Sequence, residues 1–263
     1  MQEETARDSK GEGRLTKFSC SPQKFLDIIR KGLINNHFEA MEVSFTPELV
    51  TTSTSRAGTF GVHNTFKPGY FTKYECPAPE TIKLTKELFA NMQSLKFGSE
   101  AEITVETDIP NSRLNISGTR SDYHPVLSNP EVQPLKMTIA EKPTIGWLPA
   151  KEDRPIHYQI RVPASALSTP KGIDKVTYRT NGPSLTLYFT LGGEYSEKIT
   201  PLEVMKPRTA GQGEKIDYTF FIDHLADILA NFSDNVVVTI YERGIFITQL
   251  NDTFSLMYMT AVT

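Results

Sequence analysis

The stretch Ile216–Leu250, IDYTFFIDHLADILANFSDNVVVTIYERGIFITQL, combines two kinds of hydrophobic pattern. Residues 216–221 mix aromatic and β-branched side chains, which favour an extended strand. Between residues 222 and 232 the apolar side chains recur at helical spacing. The segments VVVTIY and IFITQL follow, and a turn that ends in Gly244 separates them, as in a β-hairpin. The pattern therefore predicts strand, helix, strand, turn and strand.

The same strand–helix–strand–strand pattern is found at three earlier places in the chain. These units begin with LTKFSC at residue 15, TIKL at residue 81 and HYQIRV at residue 157. One such unit cannot bury both its helix face and its sheet face, so several units have to pack together. Four units in 263 residues predict an α+β protein of two similar domains, each of two units.

The segments outside the four units set the predicted domain boundaries. Residues 1–14 are rich in charge and glycine and have few large apolar side chains, so we expect a disordered tail. The predicted domains are 15–139 and 157–263. Residues 140–156 lack periodicity and contain three prolines and the only tryptophan, Trp147. We expect these residues to form an interdomain connecting loop.

The charge pattern restricts the possible partners. The net charge is −3, so any contact with nucleic acid requires basic residues gathered on one face. Basic residues do gather on the first predicted helix, at Lys24, Arg30 and Lys31, and around the second predicted helix, at Lys83, Lys86 and Lys96. Asp27 lies three and four residues before Arg30 and Lys31, so local ion pairs are an alternative explanation for that pair.

Signals of enzymatic chemistry are weak in this sequence. It has no phosphate-binding glycine loop, no nucleophile elbow, and no cysteine or histidine pair with metal-ligand spacing. Asp223, His224 and Asp227 share the fourth predicted helix, where a solvated face explains them better than catalysis. We therefore expect a binding or scaffolding protein rather than an enzyme, with no cofactor and no metal. Two cysteines and the absence of a long apolar run predict an intracellular protein that does not cross a membrane.

The order of these pieces resembles the sliding DNA clamps of the proliferating cell nuclear antigen (PCNA) family. KFLDIIRKGLIN (24–35) is similar to the family's first helix, and MEVSF stands where the family has its first core hairpin. IGWLP (145–149) is similar to the Leu-Gly-Ile-Pro of the family's connecting loop, and IDYTFFIDHLADIL resembles its last helix unit. The resemblance covers residues 15–263 in order rather than in identity, which indicates a divergent member, viral or archaeal.

The resemblance implies the DNA clamp fold, with antiparallel sheets outside and the helices on one face. It also implies a ring, usually a homotrimer, whose helices line a hole for double-stranded DNA. The protein would be a DNA polymerase processivity factor that tethers replication proteins without reading sequence. It would act with replicating DNA, in the nucleus if the host is eukaryotic. Asp223, His224 and Asp227 depart from the basic charge of the family's fourth helix. The DNA-binding residues implied are Lys24, Arg30, Lys31, Lys83, Lys86, Lys96, Lys171 and Lys175.

The resemblance also implies two protein-binding surfaces. Subunits would join by pairing edge strands, one near residues 133–139 and one at 194–200. The polymerase and other clamp-binding proteins would insert a short peptide under the connecting loop. The implied interface residues are Leu135, Met137, Ile139, Tyr195, Lys198 and Ile199. The implied peptide pocket consists of Ile145, Trp147, Leu148, Pro149, Met259 and Ala261.

Three alternatives remain open from the sequence. A clamp-like factor of the same fold would bind DNA as a monomer or dimer without closing a ring. A β-rich adaptor or structural protein would have no role on DNA. A hydrolase with an unrecognised site is the third alternative.

Overall fold

The computed structural model describes residues 15–34, 37–55, 60–87, 102–108, 113–118, 156–167, 175–181, 184–190, 194–206, 216–221, 225–241 and 244–261. The predicted tail and nearly all of the predicted connecting loop lie outside these ranges, as do residues 135–139. Among the described helices, none is long and apolar enough to cross a membrane.

The first half of the chain begins with a strand and a well-formed helix. Its elements are β1 (Lys17–Cys20), α1 (Pro22–Leu33), β2 (Ala40–Phe45), β3 (Leu49–Thr54), β4 (Phe60–Phe66), the 3₁₀ helix η1 (Pro68–Tyr70), β5 (Lys73–Glu75), β6 (Glu80–Thr85), β7 (Ile103–Asp108) and β8 (Arg113–Gly118). The strand–helix–strand–strand order predicted for the first unit is confirmed.

The second half repeats the plan with shorter helices. Its elements are β9 (Ile156–Pro163), the 3₁₀ helix η2 (Ala164–Leu167), β10 (Lys175–Asn181), β11 (Ser184–Thr190), β12 (Glu194–Ile199), β13 (Glu203–Lys206), β14 (Ile216–Phe221), α2 (Leu225–Leu229), β15 (Asn235–Tyr241), β16 (Gly244–Leu250) and β17 (Phe254–Ala261). The strand–helix–strand–strand order of the opening stretch is also confirmed. The sequence missed β13, because only its pairing with β9 makes four mixed residues a strand.

Local sequence explains both ends of α1. Ser21 is extended, and its side chain accepts a hydrogen bond from the Lys24 backbone N–H at 3.3 Å, while Pro22 occupies the first turn. The helix ends at Ile34, whose φ of 45° is left-handed and whose N–H bonds to the Arg30 carbonyl.

Antiparallel pairing produces one large sheet and two smaller ones. The nine-stranded sheet has the order β13-β9-β15-β16-β17-β4-β3-β2-β6. The four-stranded sheets are β5-β1-β7-β8 and β12-β11-β10-β14. The order β5-β1-β7-β8 in the first half corresponds to β13-β9-β15-β16 in the second, and β4-β3-β2-β6 corresponds to β12-β11-β10-β14. The two halves are therefore built on one topology.

The pairing of β17 with β4 joins the halves. It runs from Phe254 opposite Phe66 to Thr260 opposite Phe60. Leu256 and Tyr258 on β17 and Val62 and Phe66 on β4 are buried in the same hydrophobic core. The sheet is therefore continuous from the first half of the chain to the second.

Helix α1 covers one face of this sheet. Its buried residues Phe25, Ile28, Ile29 and Leu33 belong to a core that includes alternate residues of β2 and β6. Gly32 is also buried, and its carbonyl accepts a hydrogen bond of 2.7 Å from Ser53 Oγ on β3. The lack of a Cβ at Gly32 lets the helix backbone approach β2 and β3 closely.

On the opposite face of the sheet, His63 of β4 stands beside Thr52 of β3. Thr52 Oγ1 and His63 Nδ1 lie 3.2 Å apart. Glu42 and Lys83 continue this row across β2 and β6. Burial lowers the pKa of His63, because the imidazolium ion would lose solvation there.

We expect the Gly32→Ala variant to be less stable than the wild type. An added Cβ would fall well inside contact distance of Met41 Sδ, and overpacking of this kind costs about 1–3 kcal/mol. That loss exceeds the gain in helix propensity of about 1 kcal/mol. Urea unfolding measures the difference. Gly69→Ala is the matched control, because its Cβ would lie 3.8 Å from Thr253 Cγ2, an ordinary contact.

We expect stability to fall as the pH drops below the ordinary histidine value of about 6.5, in part because of His63. Its folded-state pKa is lowered, so the unfolded chain binds the proton more tightly and acid favours unfolding. His63→Gln keeps a hydrogen-bonding side chain beside Thr52 but does not titrate. Thermal melts at about pH 5.5 and about pH 7.5 should show a smaller loss in this variant. An equal loss in both proteins would contradict this assignment.

Candidate nucleic-acid interface and protein-binding surfaces

The exposed side of α1 carries three of the predicted DNA-binding residues. Lys24 and Arg30 are exposed, whereas Lys31 is only partly exposed. Lys24 and Arg30 project from the helix surface that faces away from the core positions Phe25, Ile28, Ile29 and Leu33. The Lys31 side chain lies closer to the sheet, with its Nζ over the Phe254 ring of β17. The described residues therefore bring these three cations together on one helix.

Asp27 is bonded to two of these cations. Arg30 Nη2 lies 2.5 Å from Asp27 Oδ1, and Lys31 Nζ donates to Asp27 Oδ2. The Tyr70 hydroxyl from η1 donates to the same Oδ2 at 3.3 Å. The local ion pairs considered from the sequence are therefore present. Burial, and then the charge of Asp27, raise the pKa of Tyr70, so its hydroxyl stays protonated and acts as a donor.

Lys24 is positioned by an aromatic residue rather than by a carboxylate. Its Nζ donates to the Tyr70 carbonyl oxygen at 2.7 Å and lies 5.0 Å from the centroid of the Tyr70 ring. Tyr70 in turn packs against Phe66, with ring centroids 5.0 Å apart. A cation in the first turn opposes the helix dipole, and the carbonyl and the ring offset that cost.

The other predicted DNA-binding residues do not extend this group within the described part of the chain. Lys83 alternates on β6 with the buried Ile82 and Leu84, so it lies on the face of the sheet away from α1. Lys86 Nζ pairs with Glu39 Oε1 at 2.7 Å. Lys96 and Lys171 lie outside the described residues, and only the backbone of Lys175 is described, in β10.

The acidic helix α2 is linked to the segment that follows α1. Asp227 Oδ2 lies 2.6 Å from Nε2 of His37, and 190 positions separate the two residues. No signal in the sequence predicts this pair, because spacing along the chain does not report a contact between halves. Asp223 and His224 lie outside the described residues.

The predicted peptide pocket is described only at β17. Met259 is 2% exposed and stands opposite Phe246 of β16 and Gly61 of β4. It shares a sheet face with Met257, and the intervening Tyr258 enters the core. Only the backbone of Ala261 is described, and Ile145, Trp147, Leu148 and Pro149 lie outside the described residues.

The predicted subunit interface is described only at β12, which ends its four-stranded sheet among the described residues. Lys198 is exposed, but Ile199 is buried in the core of its own chain. The Ile199 side chain therefore faces the interior, and its contribution to an intersubunit contact would come from the backbone. The side chain of Tyr195 and residues Leu135, Met137 and Ile139 are not among those described.

In the part of the chain that the structure describes, no group of three histidine, cysteine, aspartate or glutamate side chains could hold a metal ion. Burial raises the pKa of the Cys20 thiol to about 12, so it is protonated at neutral pH and is a poor nucleophile. Burial also raises the pKa of Cys76.

No protein-family model and no curated protein sequence matches the chain. Solved structures do match it. PCNA from A. fulgidus, solved with the C-terminal region of FEN-1 bound, has 12% identity and a TM-score of 0.66, over 94% of this chain and 98% of that one. PCNA from Thermococcus kodakaraensis has 14% identity and a TM-score of 0.67, over 94% and 100%. The predicted resemblance is confirmed for the fold: this chain has the DNA clamp fold of PCNA.

Proposed function

We propose that this protein is a sliding clamp, a DNA polymerase processivity factor that encircles duplex DNA and tethers replication proteins. The observation that carries the proposal is the repeated sheet topology, in which β17 of the second half pairs with β4 of the first. PCNA-like clamps act as scaffolds, and the weak signals of catalysis in the sequence agree with a protein that is not an enzyme.

The repeated topology supports assembly between subunits. In the repeat, β12 occupies the position of β4, at the end of the order β12-β11-β10-β14. The position of β17 in the first half belongs to the segment after β8, where residues 135–139 are predicted to form a strand. Pairing of that strand with β12 of another subunit would reproduce the β17–β4 junction. Such head-to-tail pairing closes a ring when the rotation per subunit allows it.

Three subunits are the number expected from the PCNA resemblance. Each contributes two topologically equivalent halves, so six similar halves would surround the DNA. The proposed interface uses Leu135, Met137 and Ile139 of one subunit with Tyr195, Lys198 and the Ile199 backbone of the next. An open clamp that binds DNA as a monomer or dimer is the alternative in the same fold.

The side of the molecule that carries α1 is the proposed DNA-facing side. Lys24 and Arg30 present exposed cations there, and neither is held in a pocket that would read a base. Contacts with phosphates alone are independent of sequence and weaken with salt, which suits a protein that slides. We also propose DNA contacts for Lys86, Lys96, Lys171 and Lys175. We do not propose one for Lys83, because it lies on the face of the sheet away from α1.

We propose that partner proteins bind on the face of β17 that bears Met257 and Met259, together with Ala261 and the connecting-loop residues Ile145, Trp147, Leu148 and Pro149. The similarity to a PCNA that binds the C-terminal region of FEN-1 supports clamp-binding proteins as partners. Met259 is buried in the isolated chain, so a peptide could reach its side chain only after the groups that cover it have moved. We place the protein inside the cell, with replicating DNA.

Light scattering tests ring formation. We expect a mass near three times 29.5 kDa.

In a regular antiparallel strand, neighbouring residues direct their N–H groups to opposite sides, so one of Glu197 and Lys198 donates towards β11 and the other towards the free edge. Proline at the position whose N–H points towards β11 should lower the melting temperature. Proline at the position whose N–H points towards the free edge should abolish assembly at an unchanged melting temperature. A wild-type monomer at all concentrations would rule out the ring.

Charge reversal tests the DNA-facing side. We expect Lys24→Glu combined with Arg30→Glu to abolish stimulation of a polymerase on primed circular DNA, because phosphates would meet negative charge on α1. Assembly should be retained. Lys83→Glu is the control, since it reverses an exposed cation on the other face of the sheet. Equal effects of the two changes would contradict this orientation.

A further inference from the structure

We propose that Asp27 limits how strongly α1 contacts DNA, because it holds the cations of Arg30 and Lys31 within the protein. This inference rests on the proposed function and adds a positioning residue to it. Asp27 does not touch the DNA in this proposal. It sets how many cations of the helix are free to do so.

The geometry of Asp27 supports this role. Its Oδ1 receives Arg30 Nη2 at 2.5 Å, and its Oδ2 receives Lys31 Nζ. Side chains three and four positions along a helix lie on the same face, so one carboxylate reaches both cations. Each oxygen of the carboxylate therefore holds a different cation, and the three side chains together carry one positive charge instead of two.

A second element fixes the orientation of Asp27. The Tyr70 hydroxyl, from η1, donates to Asp27 Oδ2 at 3.3 Å. An ion pair that only stabilised α1 would not need a hydrogen bond from a residue outside the helix. Tyr70 also holds Lys24 through its backbone carbonyl, so one tyrosine contacts both the carboxylate and the cation at the start of α1.

Burial makes the restraint stronger than that of a surface ion pair. The side chains of Asp27 and Lys31 are 18% and 12% exposed, whereas Arg30 is 44% exposed. Partly buried charges are screened less by salt than exposed ones. Lys31 Nζ also lies 5.7 Å from the centroid of the Phe254 ring, which attracts the cation towards β17.

The consequence concerns phosphate contacts. For Arg30 or Lys31 to neutralise a phosphate fully, it has to leave Asp27 and expose an unpaired carboxylate. Lys24 has no such cost, because its partner is a neutral carbonyl. Two of the three cations of α1 are thus held back, which keeps the contact with DNA weak enough to exchange during sliding.

The test is the salt dependence of binding to a short linear duplex, measured by fluorescence anisotropy between about 50 and 200 mM salt. Asp27→Asn should bind more tightly at low salt and steepen the slope of log K against log salt by roughly 1 to 2, as one or two cations become free. Asp27→Glu, which keeps the charge, should restore the wild-type slope.

Glu106→Gln is the matched control. Glu106 pairs with Lys17 at 2.5 Å, on β7 and β1, and the change removes the same amount of charge from a different ion pair. This variant should keep the wild-type slope. Equal steepening in Glu106→Gln and Asp27→Asn would show a general effect of net charge and would overturn the proposal.

Arg30→Gln keeps the proposal testable if Asp27→Asn fails to fold, as a melting curve would reveal. In the otherwise wild-type protein, Arg30→Gln should lower the slope by clearly less than about 0.9, because Asp27 competes with phosphate for this cation. A loss of about 0.9, the value of one full phosphate contact, would overturn the proposal. A slope in folded Asp27→Asn equal to that of the wild type would overturn it as well.

The experiment separates the two levels of inference. If the wild type does not stimulate a polymerase on primed circular DNA, the proposed function fails and the role of Asp27 fails with it. If the wild type binds with a measurable slope that Asp27→Asn leaves unchanged, only the role of Asp27 fails.

Discussion

The antiparallel pairing of β17 with β4 is the contact on which the rest of the structure depends. It joins strands from the two halves of the chain into one nine-stranded sheet, and it buries Tyr258 and Leu256 against the core of the first half. Backbone hydrogen bonds between strands need no particular side chain, so this junction tolerates wide changes in sequence. That tolerance explains how a chain with 12–14% identity keeps the PCNA fold.

The same junction suggests how subunits meet. The topology leaves β12 in the position that β4 occupies in the first half, without a described partner on its outer side. The same kind of strand pairing that joins β17 to β4 within the chain would join β12 to a strand of the next subunit. The proposed ring is thus an extension of an intramolecular contact, rather than a separate interface with its own chemistry.

The charge on the α1 side is more balanced than a count of basic residues indicates. Arg30 and Lys31 share Asp27, Lys86 meets Glu39, and Asp227 meets His37. The acidic residue of α2 that departs from the PCNA pattern is therefore matched by a histidine from the first half. Several of the described cations therefore lie next to an acid, which agrees with the loose contact with DNA that we propose.

Sequence by itself determined the elements whose signals are local. The apolar spacing of α1 and the β-branched and aromatic segments of β15 and β16 each depend on near neighbours, so the repeated unit is recognisable from the sequence alone. The Asp27 pairs were also within reach, because helical spacing alone brings Arg30 and Lys31 to one carboxylate. The β-strand β13 was missed, since its conformation depends on β9.

Only the tertiary structure decided which face each residue occupies. The alternation of Lys83 with Ile82 and Leu84 is visible in the sequence, but only the packing of α1 on the face of Ile82 and Leu84 places Lys83 away from that helix. Ile199 is predicted at a subunit interface, but its side chain is buried within its own chain. His37 and Asp227 are far apart in sequence, and only the folded chain brings them into contact. Such contacts join distant parts of the chain, and their positions follow from the packing of whole sheets rather than from the residues beside them.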